Sequence, residues 1–85
     1  MAAPVVAFTI AADVPAEAQG AVIAAVRSVD GVVDAYRLSP ESSIPEVRRM
    51  CAAALANGAD PRAVAARVRG VPGVESADVP PARGI

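Results

Sequence analysis

Apolar side chains recur at positions i, i+4 and i+7 in two segments of this chain. The valines concerned are Val22, Val26 and Val29 in the first segment and Val64, Val68 and Val71 in the second. This spacing is typical of a helix that lays one apolar stripe on a core. It predicts helices near residues 16–29 and 61–71.

The two helical segments belong to an internal repeat with an offset of 42 residues. When residues 21–35 are aligned with residues 63–77, nine of the fifteen positions are identical. Only about two identities are expected by chance in a chain so rich in Ala and Val, and self-similarity of this kind indicates a duplicated structural unit. The repeat covers a helix and the segment that follows it.

Capping and turn residues mark the ends of both helices. Asp60–Pro61 places a capping carboxylate before a proline at the first helical position. Asp13–Pro15 is a looser version of the same entry, and Gly31 and Gly73 are predicted to supply the two helix exits.

Residues 4–11 predict the strand that precedes the first helix. Their apolar positions alternate, so that one side of the strand faces a core. The predicted inward residues are Val6, Phe8 and Ile10, and the predicted outward residues are Val5, Ala7 and Thr9. A further strand at residues 32–38 completes a β-α-β unit.

Residues 47–55 allow two interpretations, because Ala, Arg, Met and Leu are also good helix formers. The offset of 42 residues places Met50 at the position of Phe8, which favours a strand with Met50 facing the core. A last strand at residues 74–79 would complete the second β-α-β unit.

Two such units with right-handed crossovers predict an α+β fold. The expected arrangement is a ferredoxin-like β-α-β-β-α-β chain, with a four-stranded antiparallel sheet and two helices on one face. Residues 1–79 are predicted to form a single domain in which residues 39–46 are a solvated loop. Residues 80–85 are predicted to be an extended C-terminal tail, because two consecutive prolines exclude a helix.

Composition argues against several classes of function. The net charge is −1, the eight basic residues are all Arg and scattered, and the chain has one Phe, one Tyr and no Trp. Neither a basic surface for phosphates nor a stacking platform for bases is predicted, so we expect no nucleic-acid partner. The apolar N-terminal segment lacks basic residues and is interrupted by Asp13 and Pro15, so neither a signal peptide nor a membrane partner is expected. A cytoplasmic location is expected for the chain as written, and secretion together with a protease stays open.

The chain offers no evident catalytic or metal-binding group. It has no His, and the single Cys51 can form neither an internal disulfide nor an ordinary zinc site. No nucleophile has a candidate base, and the carboxylates are isolated along the sequence. We therefore expect neither enzymatic activity nor a metal or other cofactor.

The strongest functional candidate is the sheet face opposite the helices. A solvated face should alternate apolar with polar residues, but the outward residues of the two central strands are predicted to be mostly small and apolar. They are Val5, Ala7, Thr9, Val47, Arg49, Cys51 and Ala53. Such a face marks a partner surface, although an Ala-rich composition could also produce a bland surface without a partner.

The run from Arg48 to Ile85 resembles the second half of subtilisin-type propeptides and of their free-standing inhibitor relatives. Its most characteristic motif is Pro72-Gly73-Val74-Glu75-Ser76-Ala77. The resemblance implies an inhibitor, or folding chaperone, of a subtilisin-like serine protease. In that family the open sheet face packs on two surface helices of the protease, and the tail lies in the substrate cleft as a product-like strand.

The same resemblance implies roles for individual residues. Asp78 occupies the position of an acid that caps a protease helix, and the tail residues Ala82, Arg83, Gly84 and Ile85 would occupy the cleft. The chain departs from the family pattern where Val79 and Pro80 replace a second acid, and where Pro80 and Pro81 lack the N–H groups used for pairing along a cleft.

Two other functions stay open on sequence grounds. One is a non-catalytic ferredoxin-like interaction module that forms a homo-oligomer through its sheet face. The other is a sensor of a small ligand, or an enzyme subunit, on the same fold.

Overall fold

A computed structural model describes residues 4–79 as a four-stranded antiparallel sheet with its helices packed on one face. In chain order the elements are β1 (Val5–Ile10), α1 (Ala16–Arg27), β2 (Val32–Arg37), α2 (Pro45–Arg48), β3 (Met50–Leu55), α3 (Pro61–Arg69) and β4 (Val74–Asp78). The strand order is β2-β3-β1-β4, so β3 lies between β1 and β2, and β1 lies between β3 and β4. Both β-α-β units are therefore split, as in ferredoxin-like folds. The predicted α+β class is confirmed.

The central strand β1 supplies the middle of the core. Val6, Phe8 and Ile10 are buried on the helix side, and their neighbours in the chain are half-buried on the other side, as the alternation predicted. The helices cover these residues with the predicted stripes: the buried helical residues are Val22, Ile23, Val26, Val64, Ala65 and Val68. Val29 and Val71 pack against the same core from the turns that follow the helices.

An equivalent hydrogen bond joins helix to strand in each half of the repeat. Arg27 Nη2 donates to Ala35 O at 2.8 Å, and Arg69 Nε donates to Ala77 O at 2.9 Å. The last turn of each helix is thereby tied to the strand that follows it. Ala35 and Ala77 are both buried, and a larger side chain at either position would separate helix from sheet.

Gly31 and Gly73 lie in the turns between helix and strand, a few residues beyond the helix ends at Arg27 and Arg69. Both have φ of 93°, a conformation in which glycine carries no Cβ penalty. A Cβ on Gly31 would lie 2.9 Å from Val64 Cγ2, and a Cβ on Gly73 would lie 2.6 Å from Val22 Cγ2. Each turn therefore packs directly on the helix of the other unit.

The two helix starts differ in their capping. The Asp60 side chain accepts from the Arg62 N–H at 3.2 Å, and Pro61 occupies the first turn, as predicted. At α1 the residue before the helix is Pro15, without any side-chain cap. The looser capping predicted at Asp13–Pro15 is therefore wrong.

The segment predicted as a strand at residues 47–55 begins three residues later than expected. Pro45–Arg48 forms the short helix α2, and β3 starts at Met50. The predicted side is also wrong: Met50 is 43% exposed and faces away from the helices. Residues 39–46 are accordingly a loop that ends in this helix instead of a plain connection.

Helix length explains the error. α1 has 12 residues and α3 has 9, so the repeat offset is 45 residues at the helix starts and 42 at the helix ends. The two offsets differ by three residues, an odd number, and an odd shift along a strand exchanges its two faces. The offset of 42 therefore holds for each helix end and the strand after it, but not for the strand before.

We expect Gly73→Ala to destabilise the domain and Gly20→Ala to stabilise it. Gly73 has a positive φ and no room for a Cβ, whereas Gly20 lies within α1, where an added Cβ would meet no other atom within 4 Å. Urea unfolding should show a loss of more than about 1 kcal/mol for the first variant and a gain of about 0.5–1 kcal/mol for the second. Equal effects of the two substitutions would contradict the packing of this turn on α1.

Candidate protein interface

The sheet face opposite α1 and α3 is not covered by any element within residues 4–79. The molecule measures 34 × 28 × 16 Å along its principal axes, and the shortest axis leaves room for only one sheet layer and one helix layer. We call the outward residues of the sheet the open face. Apart from Asp34, which pairs with Ala54 in the sheet and with Arg27 of α1 through its side chain, they are Val5, Ala7 and Thr9 of β1, Tyr36 and Leu38 at the end of β2, Met50, Ala52 and Ala54 of β3, and Ser76 and Asp78 of β4.

Strand register orders these side chains into rows. One row runs Tyr36, Ala52, Ala7 and Asp78 across all four strands. The next row contains Met50, Thr9 and Ser76, and Leu38 joins it because its N–H donates to Met50 O at 3.0 Å. The centre of the open face therefore consists of small residues, and it ends in an acid at β4.

Three large apolar side chains lie together at the β2–β3 side of the open face. Tyr36, Leu38 and Met50 are 43%, 48% and 43% exposed. Tyr36 and Leu38 lie on the same side of their strand by alternation, and Met50 lies opposite Leu38. We call these three residues the apolar cluster. Contiguous apolar surface of this kind on a small domain is typical of a binding surface.

Three of the seven residues predicted for this face lie on it, and four do not. Val5, Ala7 and Thr9 face outward from β1. Cys51 and Ala53 are fully buried, because they pair with Phe8 and Val6 and so face the helices. The prediction for these two residues is wrong, for the reason of helix length given above.

Val47 and Arg49 are also displaced from the predicted face. Val47 lies in α2. Arg49 continues the pairing of β3 opposite Ile10: its carbonyl accepts from the Ile10 N–H at 3.0 Å, and its Nη1 donates to Ile10 O at 2.9 Å. Its side chain, only 16% exposed, also contacts Glu75 Oε1 at 3.4 Å and lines a cavity beside α1.

The residues that the resemblance assigned to partner contact fall in two groups. Asp78 is exposed at the end of β4 and lies opposite Ala7 on the open face. The tail residues Ala82, Arg83, Gly84 and Ile85 lie outside the described residues. Asp78 is therefore accessible to a partner that docks on the open face, and the role of the tail stays a prediction.

Sequence reasoning missed the outward residues of β3 and the apolar cluster. A usable signal was present at the helix starts. Ile10 precedes Ala16, the start of α1, by six positions, and Leu55 precedes Pro61, the start of α3, by six. Alignment at these starts would have placed Leu55 inward and Met50 outward.

Cys51 is the one thiol of the chain and lies in the core. Its Sγ is 3.6 Å from Arg49 O. Burial raises the pKa of the Cys51 thiol to about 11, against a smaller lowering by the charge of Arg37. A buried, protonated thiol is a poor nucleophile at neutral pH. Within residues 4–79 no three His, Cys, Asp or Glu side chains are grouped to hold a metal ion.

Comparison of the chain with protein-family models, curated proteins and solved structures finds no match. In the part of the chain that the structure describes, no helix has both the length and the apolar character to cross a membrane.

Two neighbouring alanines of β3 provide a test of the register. Ala53→Glu should abolish or severely impair folding, since it places an unpaired carboxylate in the core, at a cost of several kcal/mol. Ala54→Glu should change the free energy of unfolding by less than about 1 kcal/mol, because Ala54 is half-buried on the open face. Circular dichroism and urea unfolding of both variants measure the difference. Equal tolerance of the two substitutions would refute the observed register.

The buried thiol makes stability depend on pH above neutrality. Because the pKa of Cys51 rises from 9.0 to about 11 on folding, the folded thiol holds its proton when the unfolded thiol has lost it. The stabilising contribution is complete below pH 9.0 and is lost as the pH rises towards about 11. Urea unfolding across this range should show a steeper loss of stability for the parent chain than for Cys51→Ala. Parallel pH profiles of stability for the two proteins would contradict the raised pKa of Cys51.

Proposed function

We propose that this chain is a propeptide-like inhibitor, and in that capacity a folding chaperone, of a subtilisin-type serine protease. The body docks through the open face, and the C-terminal tail occupies the substrate cleft. The observation that carries the proposal is the open face itself: a sheet surface with small residues at its centre, large apolar residues at one side and Asp78 at the other.

The small residues at the centre suit a rigid, convex partner such as the surface helices of an enzyme. Ala7 and Ala54 are half-buried and leave the strand backbones close to the surface, so a partner helix can approach the sheet there without displacing large side chains. Tyr36, Leu38 and Met50 would then supply apolar contacts at the edge, and large apolar or aromatic groups supply most of the energy in protein interfaces.

The position of β4 supports the role of the tail. β4 is an edge strand, it ends at Asp78 on the open face, and the tail follows in the chain after Val79. Docking of the body would hold the tail at a high local concentration near the partner, which strengthens a weak interaction in the cleft. Asp78 would accept from the free N–H groups at the start of a partner helix, an interaction of about 1 kcal/mol.

A homo-oligomer through the open face is the second candidate. It is favoured by the position of the apolar cluster, which lies at the end of β2 and the start of β3, away from β4. A two-fold pairing of open faces would bury the cluster of both copies.

The test combines two changes with a matched control. Thr9→Glu places a charge at the centre of the open face, in a row whose neighbours Met50 and Ser76 carry no charge. Ala24→Glu places the same charge on the exposed side of α1. A third variant lacks residues 82–85. Inhibition constants are measured against a panel of subtilisin-like proteases, and circular dichroism verifies that each variant is folded.

We expect Thr9→Glu and the truncation each to weaken inhibition at least about tenfold, because a buried unpaired charge or a lost cleft contact costs more than about 1.4 kcal/mol. Ala24→Glu should inhibit like the parent chain. Full inhibition by the truncated chain would refute the tail mechanism. Absence of inhibition by the parent chain would refute the inhibitor function. If the molecular mass of the parent chain also rises with concentration and Thr9→Glu abolishes that rise, the homo-oligomer is supported.

A further inference from the structure

A cavity with a volume of about 470 Å³ lies at one end of the sheet, between the start of α1 and α2. Ala16 and Gln19 of α1 form one wall. The charged part of the lining comes from the end of β2, from α2 and from the residue after α2: Arg37, Glu46, Arg48 and Arg49. Three of the eight arginines in the chain therefore converge on this one cavity: Arg37 from the end of β2 and the consecutive Arg48 and Arg49 from the end of α2.

Two of these guanidinium groups have no acidic partner. Within residues 4–79, neither Arg37 nor Arg48 has a carboxylate within 4 Å, and neither donates a side-chain hydrogen bond to another described residue. Arg37 is half-buried and Arg48 is exposed, so both guanidinium groups can pair with an anion that enters the cavity from solvent.

Arg49 is held in place and keeps donors available. Its Nη1 contacts Ile10 O and Glu75 Oε1, which orients the guanidinium plane. Among the described residues Nε and Nη2 have no acceptor. These N–H groups, together with those of Arg37 and Arg48, form a set of donors around one space that comes from the end of β2 and from the end of α2.

Donor geometry favours phosphate over carboxylate. One carboxylate satisfies a single guanidinium fork, whereas a phosphate group offers three oxygens and about two negative charges to several forks. Glu46 reduces the positive charge of the cavity, and it lies beyond 4 Å from all three guanidinium groups. The cavity volume exceeds that of a phosphate ion and lies within the range of small-molecule sites.

We propose that this cavity binds the phosphate group of a small phosphate monoester, with Arg37 and Arg48 as the principal ligands and Arg49 as a fixed third donor. The site does not depend on the proposed inhibitory function. It lies where β1 and β2 end and β3 begins, whereas Asp78 lies at the other end of β4.

Calorimetric titration with two phosphate probes tests the site. Inorganic phosphate and glycerol 2-phosphate are titrated at constant ionic strength and neutral pH, with succinate as the carboxylate comparison. The variants are Arg37→Gln, Arg48→Gln and Glu46→Gln, and the control is Arg62→Gln, an exposed arginine of α3 outside the cavity. Arg49 is left intact because its contacts hold the end of the sheet together.

We expect saturable binding of both phosphates and weaker binding of succinate. Arg37→Gln and Arg48→Gln should each reduce phosphate affinity about tenfold, the usual effect of removing a hydrogen bond to a charged group. Glu46→Gln should increase phosphate affinity, and Arg62→Gln should leave it unchanged.

Three results would overturn the site. One is no saturable binding of either phosphate at about 10 mM, where a site with millimolar affinity is largely filled. Another is an equal loss for Arg62→Gln and Arg37→Gln, which would indicate only an effect of total charge. The last is equal binding of succinate and phosphate, which would refute the phosphate assignment.

Discussion

Burial of one face of β1 is the interaction on which the rest of this structure depends. β1 is paired on both edges, with β3 and with β4, and its residues Val6, Phe8 and Ile10 belong to one core with the buried residues of both long helices. The two repeats share their core at this strand. The surrounding core is built mainly from Val and Ala, so helices and sheet must approach closely to exclude water, and the glycine turns at Gly31 and Gly73 permit that approach.

The high content of Ala and Val also determines the character of the open face. A two-layer domain of this size covers one side of its sheet and leaves the other exposed. Small residues on the outward side of β1 and β3 make that side flat. The large apolar residues are confined to the end of β2 and the start of β3, and they define where a partner would gain most from contact.

The two candidate surfaces use different parts of the fold. The open face is formed by strand residues that alternate with the core, so its shape follows directly from the sheet. The arginine cavity is formed where several helix and strand ends meet at one end of the sheet. These are the start of α1, the end of β2, and α2 with the residue after it. A charge at the open face and a charge in the cavity can therefore be changed separately.

The sequence by itself determined the elements whose signals are local. The helical valine stripes, the cap at Asp60 and the alternation in β1 depend on neighbouring residues, and the structure confirms each of them. Gly31 and Gly73 are turn residues as expected, but the helices end before them, at the caps Ser28 and Gly70. Together with the repeat these local signals were sufficient for the α+β class, and for the outward position of Ala7.

Only the tertiary structure decided which side of β3 faces the core. A run such as "MCAAAL" has apolar residues on both sides, so its pattern does not select a face, and the choice follows from pairing with β1. For that reason Cys51 and Ala53 were assigned to the wrong surface and the apolar cluster was missed. The arginine cavity could not be predicted from the sequence either. The distance in space between Arg37 and Arg48 is set by how β2, α2 and β3 connect, and not by the number of residues between the two arginines.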